Sequence, residues 1–399
     1  MDTIYAPFIG ILPTKEQAQA VVAPPYDVLS SAEAKAMAAN HPHSFLHISK
    51  AEIDLPEHIS PYADEVYAKA AENFNNLLTQ GILRKTTKPC YYIYQMDMAG
   101  HVQTGLAVAA SVKAYNEGRI KRHELTRVIK ENDRVKQIKT VGAQTGPALL
   151  INKNLPAVKK FLAEFIKSKL PDIAVTGEHE VHHRLWIIDN ETDIEFITKS
   201  FAVQDEAYIA DGHHRSAAAS RLAEEGLADR FLAVAFFAEE MKIYDYNRFV
   251  HDLQGRSPSM FLQLLEQDFK ITLTEQKKPS HKGEFTMYLD KRWYRLEYIG
   301  TPLGTDPVSS LDVSLLSTKV LNKLLNITDL RNDERIEFVG GIRGAEEIEK
   351  LVNSRPQSVG FMVYPTSVAE LLSVADRKML MPPKSTWFEP KLADGMISK

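Results

Sequence analysis

Apolar residues recur along this chain at two periods, and the switches between them mark where strands give way to helices. Between Asp64 and Gln80, the residues Val66, Ala70, Phe74, Leu77 and Leu78 keep helical spacing, and Gly81 is placed as a stop. Residues 91–98 and 101–112, joined by Ala99-Gly100, read as a β-hairpin. Leu125, Val128, Val135 and Ile138 predict a helix over 124–139, with one apolar face and with Arg127, Lys130, Arg134 and Lys136 on the opposite face. Pro156 to Lys167 is a clearer amphipathic helix, its stripe formed by Val158, Phe161, Leu162, Phe165 and Ile166. Arg184 to Asp189 reads as a strand, and the unbroken run Phe231 to Phe237 as a strand buried on both faces. After residue 255 the pattern gives a hairpin from Phe285 to Tyr298, a helix from Asp312 to Leu325, and a strand, helix and tail from Val359 onward.

Up to about residue 85, proline-rich strings such as Ala23-Pro24-Pro25-Tyr26-Asp27-Val28 force extended backbone and turns. These shifts divide the chain into an N-terminal region (1–88) packing on a core (89–254), followed by a C-terminal α/β region (255–399). No internal repeat is present.

Composition narrows the class. With 399 residues, 44% hydrophobic and 25% charged, the chain is an ordinary globular protein of more than one domain. No run of eighteen apolar residues exists, so no membrane partner is expected. Met1-Asp2-Thr3-Ile4-Tyr5 has neither the basic nor the apolar part of a signal peptide, so the expected location is cytoplasmic. Cys90 stands alone, which excludes an internal disulfide and any Cys-x-x-Cys site, and it reads as inert. A net charge of −4 gives no overall attraction to nucleic acid, although residues 113–139 hold nine Lys/Arg against four Asp/Glu.

The densest chemistry is Asp211-Gly212-His213-His214-Arg215, between the apolar run Ala207 to Ala210 and an alanine-rich helical stretch from Ser216 to Glu225. A strand, tight turn and helix start present unpaired N–H groups and the positive end of the helix dipole, which favour an anion of phosphate size. Two imidazoles and a guanidinium strengthen that preference. The other reading makes Asp211 a helix cap and the histidines polar surface.

The second candidate is Arg122-His123-Glu124-Leu125-Thr126-Arg127, at the expected start of the basic helix. A zinc peptidase needs a second His four residues after the first, and Arg127 holds that place. A carboxylate among cations suits instead a base facing a hydroxyl beside a phosphate group, or else an ordinary helix cap. There is no Gly-x-x-x-x-Gly-Lys loop, no protein-kinase signature and no Gly-x-Ser-x-Gly elbow. Gly340-Gly341-Ile342-Arg343-Gly344 before a helical run could cradle phosphate, but it fits neither dinucleotide nor P-loop spacing and reads rather as a simple turn.

The His123-Glu124 pair followed by Ala210 to Arg215 resembles the free serine kinases of the ParB/sulfiredoxin-like superfamily. Over its whole length the chain is similar to a bacterial family of unknown function, number 1015, whose landmarks stand here as Ala23 to Val28, His123 to Thr126, Ala210 to Arg215 and Met381 to Lys391. The resemblance implies an α+β fold, with a ParB/sulfiredoxin-like mixed-sheet core and N- and C-terminal α/β additions. It implies ATP-dependent phosphorylation of free L-serine to O-phospho-L-serine, with ATP preferred, ADP a possible donor, and Mg²⁺ on the nucleotide. In that scheme Glu124 is the base supported by His123, and Asp211, Gly212, His213, His214 and Arg215 hold the phosphates, with Asp211 as the candidate Mg²⁺ ligand. Lys384 reads either as a phosphate contact or as part of a structural strap with Trp387 and Phe388. Tyr26, Asp27 and Arg127 are candidates for the amino acid, although a proline-fixed turn with a capping Asp explains the first two with fewer assumptions. The rival is a ParB-like nucleotide-binding regulator without kinase activity; a third reading is a kinase for another small hydroxyl compound.

Overall fold

The computed structural model describes residues 3–399, so Met1 and Asp2 of the N-terminal string lie outside the described residues. By internal contacts the chain forms two compact units: residues up to Arg122 with Thr126–Met241 and Pro390–Lys399, and His123–Leu125 with Lys242–Glu389. The protein is α+β, built on mixed and antiparallel sheets with helices against them.

The first unit contains a nine-stranded sheet. Its strands run in the order Ile120–Lys121, Ala207–Asp211, Ala148–Asn152, Arg230–Phe237, His101–Ser111, Tyr91–Met98, His182–Ile188 and Ile173–Thr176, with Tyr5–Ala6 added beside His101–Ser111. Ala148–Asn152 lies parallel to Arg230–Phe237 but antiparallel to Ala207–Asp211, so the sheet is mixed. The hairpin forms as expected: Ala99 and Gly100 both take positive φ at its turn, and Met98 faces His101. Phe231 to Phe237 is buried throughout, as its unbroken hydrophobicity requires. Pro156–Ser168 buries Val158 and Leu162 in the same core.

Asp64–Thr79 buries Val66, Ala70, Phe74 and Leu77, and Gly81 ends it at φ +71°. The basic helix departs from its pattern. It spans Val128–Val141, not 124–139, and leaves Leu125 and Val128 exposed while burying Asp133, Arg134 and Gln137. Polar groups fill this interface because they satisfy one another: Arg134 donates twice to Asp133 Oδ2, at 3.0 and 2.7 Å, Tyr67 donates to Asp133 Oδ1 at 2.9 Å, and Gln137 donates to the Ile48 carbonyl at 3.0 Å. Glu124 therefore lies in irregular chain ahead of the helix, not at its first turn.

The second unit has a six-stranded antiparallel sheet ordered Phe269–Leu273, Arg292–Tyr298, Glu284–Leu289, Val359–Val363, Tyr246–Val250 and Ile336–Gly340. The expected 285–298 hairpin supplies its second and third strands, turning at Asp290 and Lys291 with positive φ. Gly344–Ser354 packs Ile348 and Val352 against this sheet. The helix expected over Asp312 to Leu325 is α-helical only from Asp312 to Leu316 and then widens over Ser317–Asn322. Gly340 ends its strand and Gly341 opens a short turn to Arg343 under close packing: a Cβ would come 2.6 Å from Trp387 at the first and would clash with Asp245 at the second. Among the described residues, no helix is long and apolar enough to cross a membrane.

Candidate functional site

The turn at Asp211 is shaped by what flanks it. Strand Ala207–Asp211 shifts register between Ile209 and Asp211, a bulge that redirects the chain just before the turn. Gly212 follows with φ +93°, and a Cβ there would come 2.9 Å from Ala148 Cα. Both conformation and space demand glycine. Helix His213–Glu224 then begins, and among the described residues no side chain caps it. Its small residues let it lie close to Val128–Val141, where Val135, Ala218 and Leu222 form a satellite core; burying Leu222 alone contributes roughly 1.5–3 kcal/mol.

Asp211 Oδ1 accepts the Gly212 N–H at 2.7 Å and lies 3.6 Å from Arg215, while Oδ2 accepts from Lys391 Nζ at 3.0 Å. Burial alone would raise this carboxyl, but Lys391 and Arg215, with His213, outweigh it and hold Asp211 well below the usual carboxylate range. Arg215 donates to the Pro147 carbonyl and approaches Asp27 at 3.5 Å. Asp27, Asp211, Arg215 and Lys391 thus enclose a recess of about 10 Å³, too small for a phosphate group. Both Asp211 oxygens have partners and two cations stand beside them, so this donor set does not fit a protein-held Mg²⁺.

His213 is buried, and His214 Nε2 accepts the backbone N–H of Arg127 at 3.1 Å. Arg127, expected near the substrate, precedes the first turn of the basic helix with its side chain exposed. Tyr26 stacks beneath the Arg134 guanidinium at 3.9 Å, in the short helical turn Tyr26–Val28 set by Pro25. Burial pushes its phenol up to about 12, against the opposing pull of Arg134.

In the second unit, His123 is buried and its carbonyl accepts the Met381 N–H at 2.8 Å; Glu124 is half-buried. Lys384 has φ +59° and lies over the Tyr246 ring at 5.7 Å, while its carbonyl accepts from Arg248 at 3.1 Å. Trp387 packs edge-on to Tyr246 at 4.9 Å and donates to Glu389 at 2.8 Å. Cys90 is buried, and burial raises its thiol.

Two residues at the first-unit site escape sequence reasoning. Lys391 closes the Asp211 turn, and Asp394 accepts the Tyr26 N–H at 3.1 Å. The only hint of Lys391 was its place at the end of the Met381 to Lys391 landmark.

The sequence profile of the family described as "Protein of unknown function (DUF1015)" matches residues 5–314, more than half the chain. The chain belongs to this family. Within the DUF1015 span fall His123, Glu124 and residues Asp211 to Arg215, whereas Lys384, Lys391 and Asp394 lie beyond it. No curated protein matches the sequence. Several solved structures are similar at low identity, three of them as follows. A conserved hypothetical protein from Pyrococcus furiosus is 18% identical, covering 72% of this chain and 93% of that one, with a TM-score of 0.37. A free serine kinase in complex with AMP is 16% identical, covering 71% and 86%, with a TM-score of 0.37. SbnI with a C-terminal truncation, from Staphylococcus aureus, is 11% identical, covering 72% and 85%, with a TM-score of 0.38.

Proposed function

We propose that this DUF1015 chain transfers a phosphoryl group from ATP, or from ADP, to the hydroxyl of free L-serine, giving O-phospho-L-serine. The observation that carries the reading is the strand, bulge and turn into the helix at His213, with Gly212 at φ +93°. Such a helix start offers backbone N–H groups to an anion, and His213 and His214 extend the donor set. Arg215 adds its charge from behind, held by Pro147, Asp27 and Asp211.

In the reaction the serine oxygen bonds to the terminal phosphorus as the bond to the leaving nucleoside phosphate breaks. Glu124 accepts the hydroxyl proton, a role that rests on the His123-Glu124 resemblance and on a half-buried carboxylate. Asp27, partly open to solvent, is the candidate for serine's ammonium group. Mg²⁺ would travel on the nucleotide's phosphate oxygens and neutralise their charge.

Steady-state kinetics test the roles separately. Glu124→Gln should lower kcat by about 10²–10⁴ with nucleotide affinity retained, as expected for loss of a positioned base. His213→Ala should act chiefly on nucleotide affinity. A Glu124→Gln enzyme with unchanged kcat would remove Glu124 from the chemistry.

A further inference from the structure

We propose that the last ten residues, Pro390–Lys399, are a working part of the phosphate site, with Lys391 positioning Asp211 and thereby the turn. The inference rests on the reading that this turn takes phosphates.

The segment is fixed at several points within the first unit. Asp394 and Ala23 exchange backbone hydrogen bonds of 3.0 and 2.9 Å, Ser398 and Ile11 exchange bonds of 2.8 and 2.9 Å, and Lys399 and Gln144 exchange bonds of 2.7 and 3.0 Å. The Ala393 N–H also donates to the Tyr94 hydroxyl at 3.2 Å. Leu392 to Ser398 are buried without a break. This anchoring fixes where Lys391 begins and brings its ammonium 3.0 Å from Asp211 Oδ2, with the side chain only 17% exposed.

That contact does two things. It fixes the rotation of the Asp211 carboxylate, leaving Oδ1 to hold the Gly212 N–H and with it the left-handed turn. It also balances charge. Asp27 and Asp211 face Arg215 and Lys391, and the buried Asp394 also acts on Arg215. Without Lys391 the cluster carries a net negative charge immediately behind a turn that must receive an anion, which opposes binding. An apolar residue would anchor the segment equally well, so a largely desolvated lysine at this point is explained by the carboxylate it meets.

The test is ADP binding to the full-length chain with Mg²⁺, measured by calorimetry for wild type, Lys391→Met, Lys391→Arg, Asp211→Asn and the double variant Asp211→Asn with Lys391→Met. Lys391→Met should weaken ADP binding about tenfold or more, the usual scale for a hydrogen bond between charged groups. Lys391→Arg should restore most of the affinity. In the Asp211→Asn background the lysine change should cost little, because its partner is already gone. If Lys391→Met does not fold, Lys391→Arg and the double variant, which leaves no unpaired charge, carry the comparison. Unchanged ADP affinity in Lys391→Met, or additive losses in the double variant, would overturn the positioning role while leaving the turn as the phosphate site. A wild-type chain that takes up no ADP would remove the reading of the turn itself, and this inference with it.

Discussion

Asp394 accepts the backbone N–H of Tyr26 at 3.1 Å, so a carboxyl group 368 residues further along the chain holds the proline-set turn. Burial raises its carboxyl from an ordinary 3.8 to about 7; Arg215 and Arg134 oppose the rise and Asp27 adds to it. A carboxyl whose folded value is raised gives stability that is complete below the unfolded value and is lost as pH climbs through the folded one. The loss runs from about pH 3.8 to about pH 7 and amounts to about 4 kcal/mol. Asp394→Asn, which cannot ionise, should flatten this slope, gaining stability over wild type at pH 8 relative to pH 5. Melting temperatures across that range check it, and parallel curves for the two proteins would contradict it.

Gly212 and Gly226 both have positive φ, at +93° and +73°, but only Gly212 is crowded. Gly226→Ala should cost about 1–2 kcal/mol for the left-handed backbone alone. Gly212→Ala should cost a further 1–3 kcal/mol or so, because its Cβ meets Ala148, and should weaken nucleotide binding as well. Denaturant unfolding of the two variants separates the contributions.

Arg248 is fully buried, and its guanidinium donates to the carbonyls of Tyr246 and Lys384. Burial pushes its pKa down to about 10, so it remains charged at neutral pH. Arg248→Met should leave those carbonyls unmet at a cost of about 1–3 kcal/mol and loosen the Pro382–Phe388 strap. Limited proteolysis should then cut near Lys384 faster than in wild type.

The elements that carried a single period were legible. Strand Ala207–Asp211 and helix His213–Glu224 follow from an apolar run, a glycine and an alanine-rich stretch, although the helix starts at His213, three residues before the expected Ser216. The basic helix was misread because the apolar-face rule assumes that burial selects apolar side chains. Here Asp133, Arg134 and Gln137 are buried with partners on Tyr67, Tyr26 and Ile48, which no local pattern shows. The same limit hides Lys391 and Asp394. Their partners lie 180 and 368 residues away, and nothing local in the string marks the return of the last ten residues to the first unit.

The central claim is that the chain phosphorylates free serine, and product detection tests it most directly. Purified full-length protein is incubated with Mg²⁺ and ATP or ADP, with and without L-serine, and O-phosphoserine is measured by mass spectrometry against nucleotide consumed. The account predicts phosphoserine only when serine is present, in amounts matching the nucleotide lost. Nucleotide bound by the protein with no phosphorylated product from serine would contradict it.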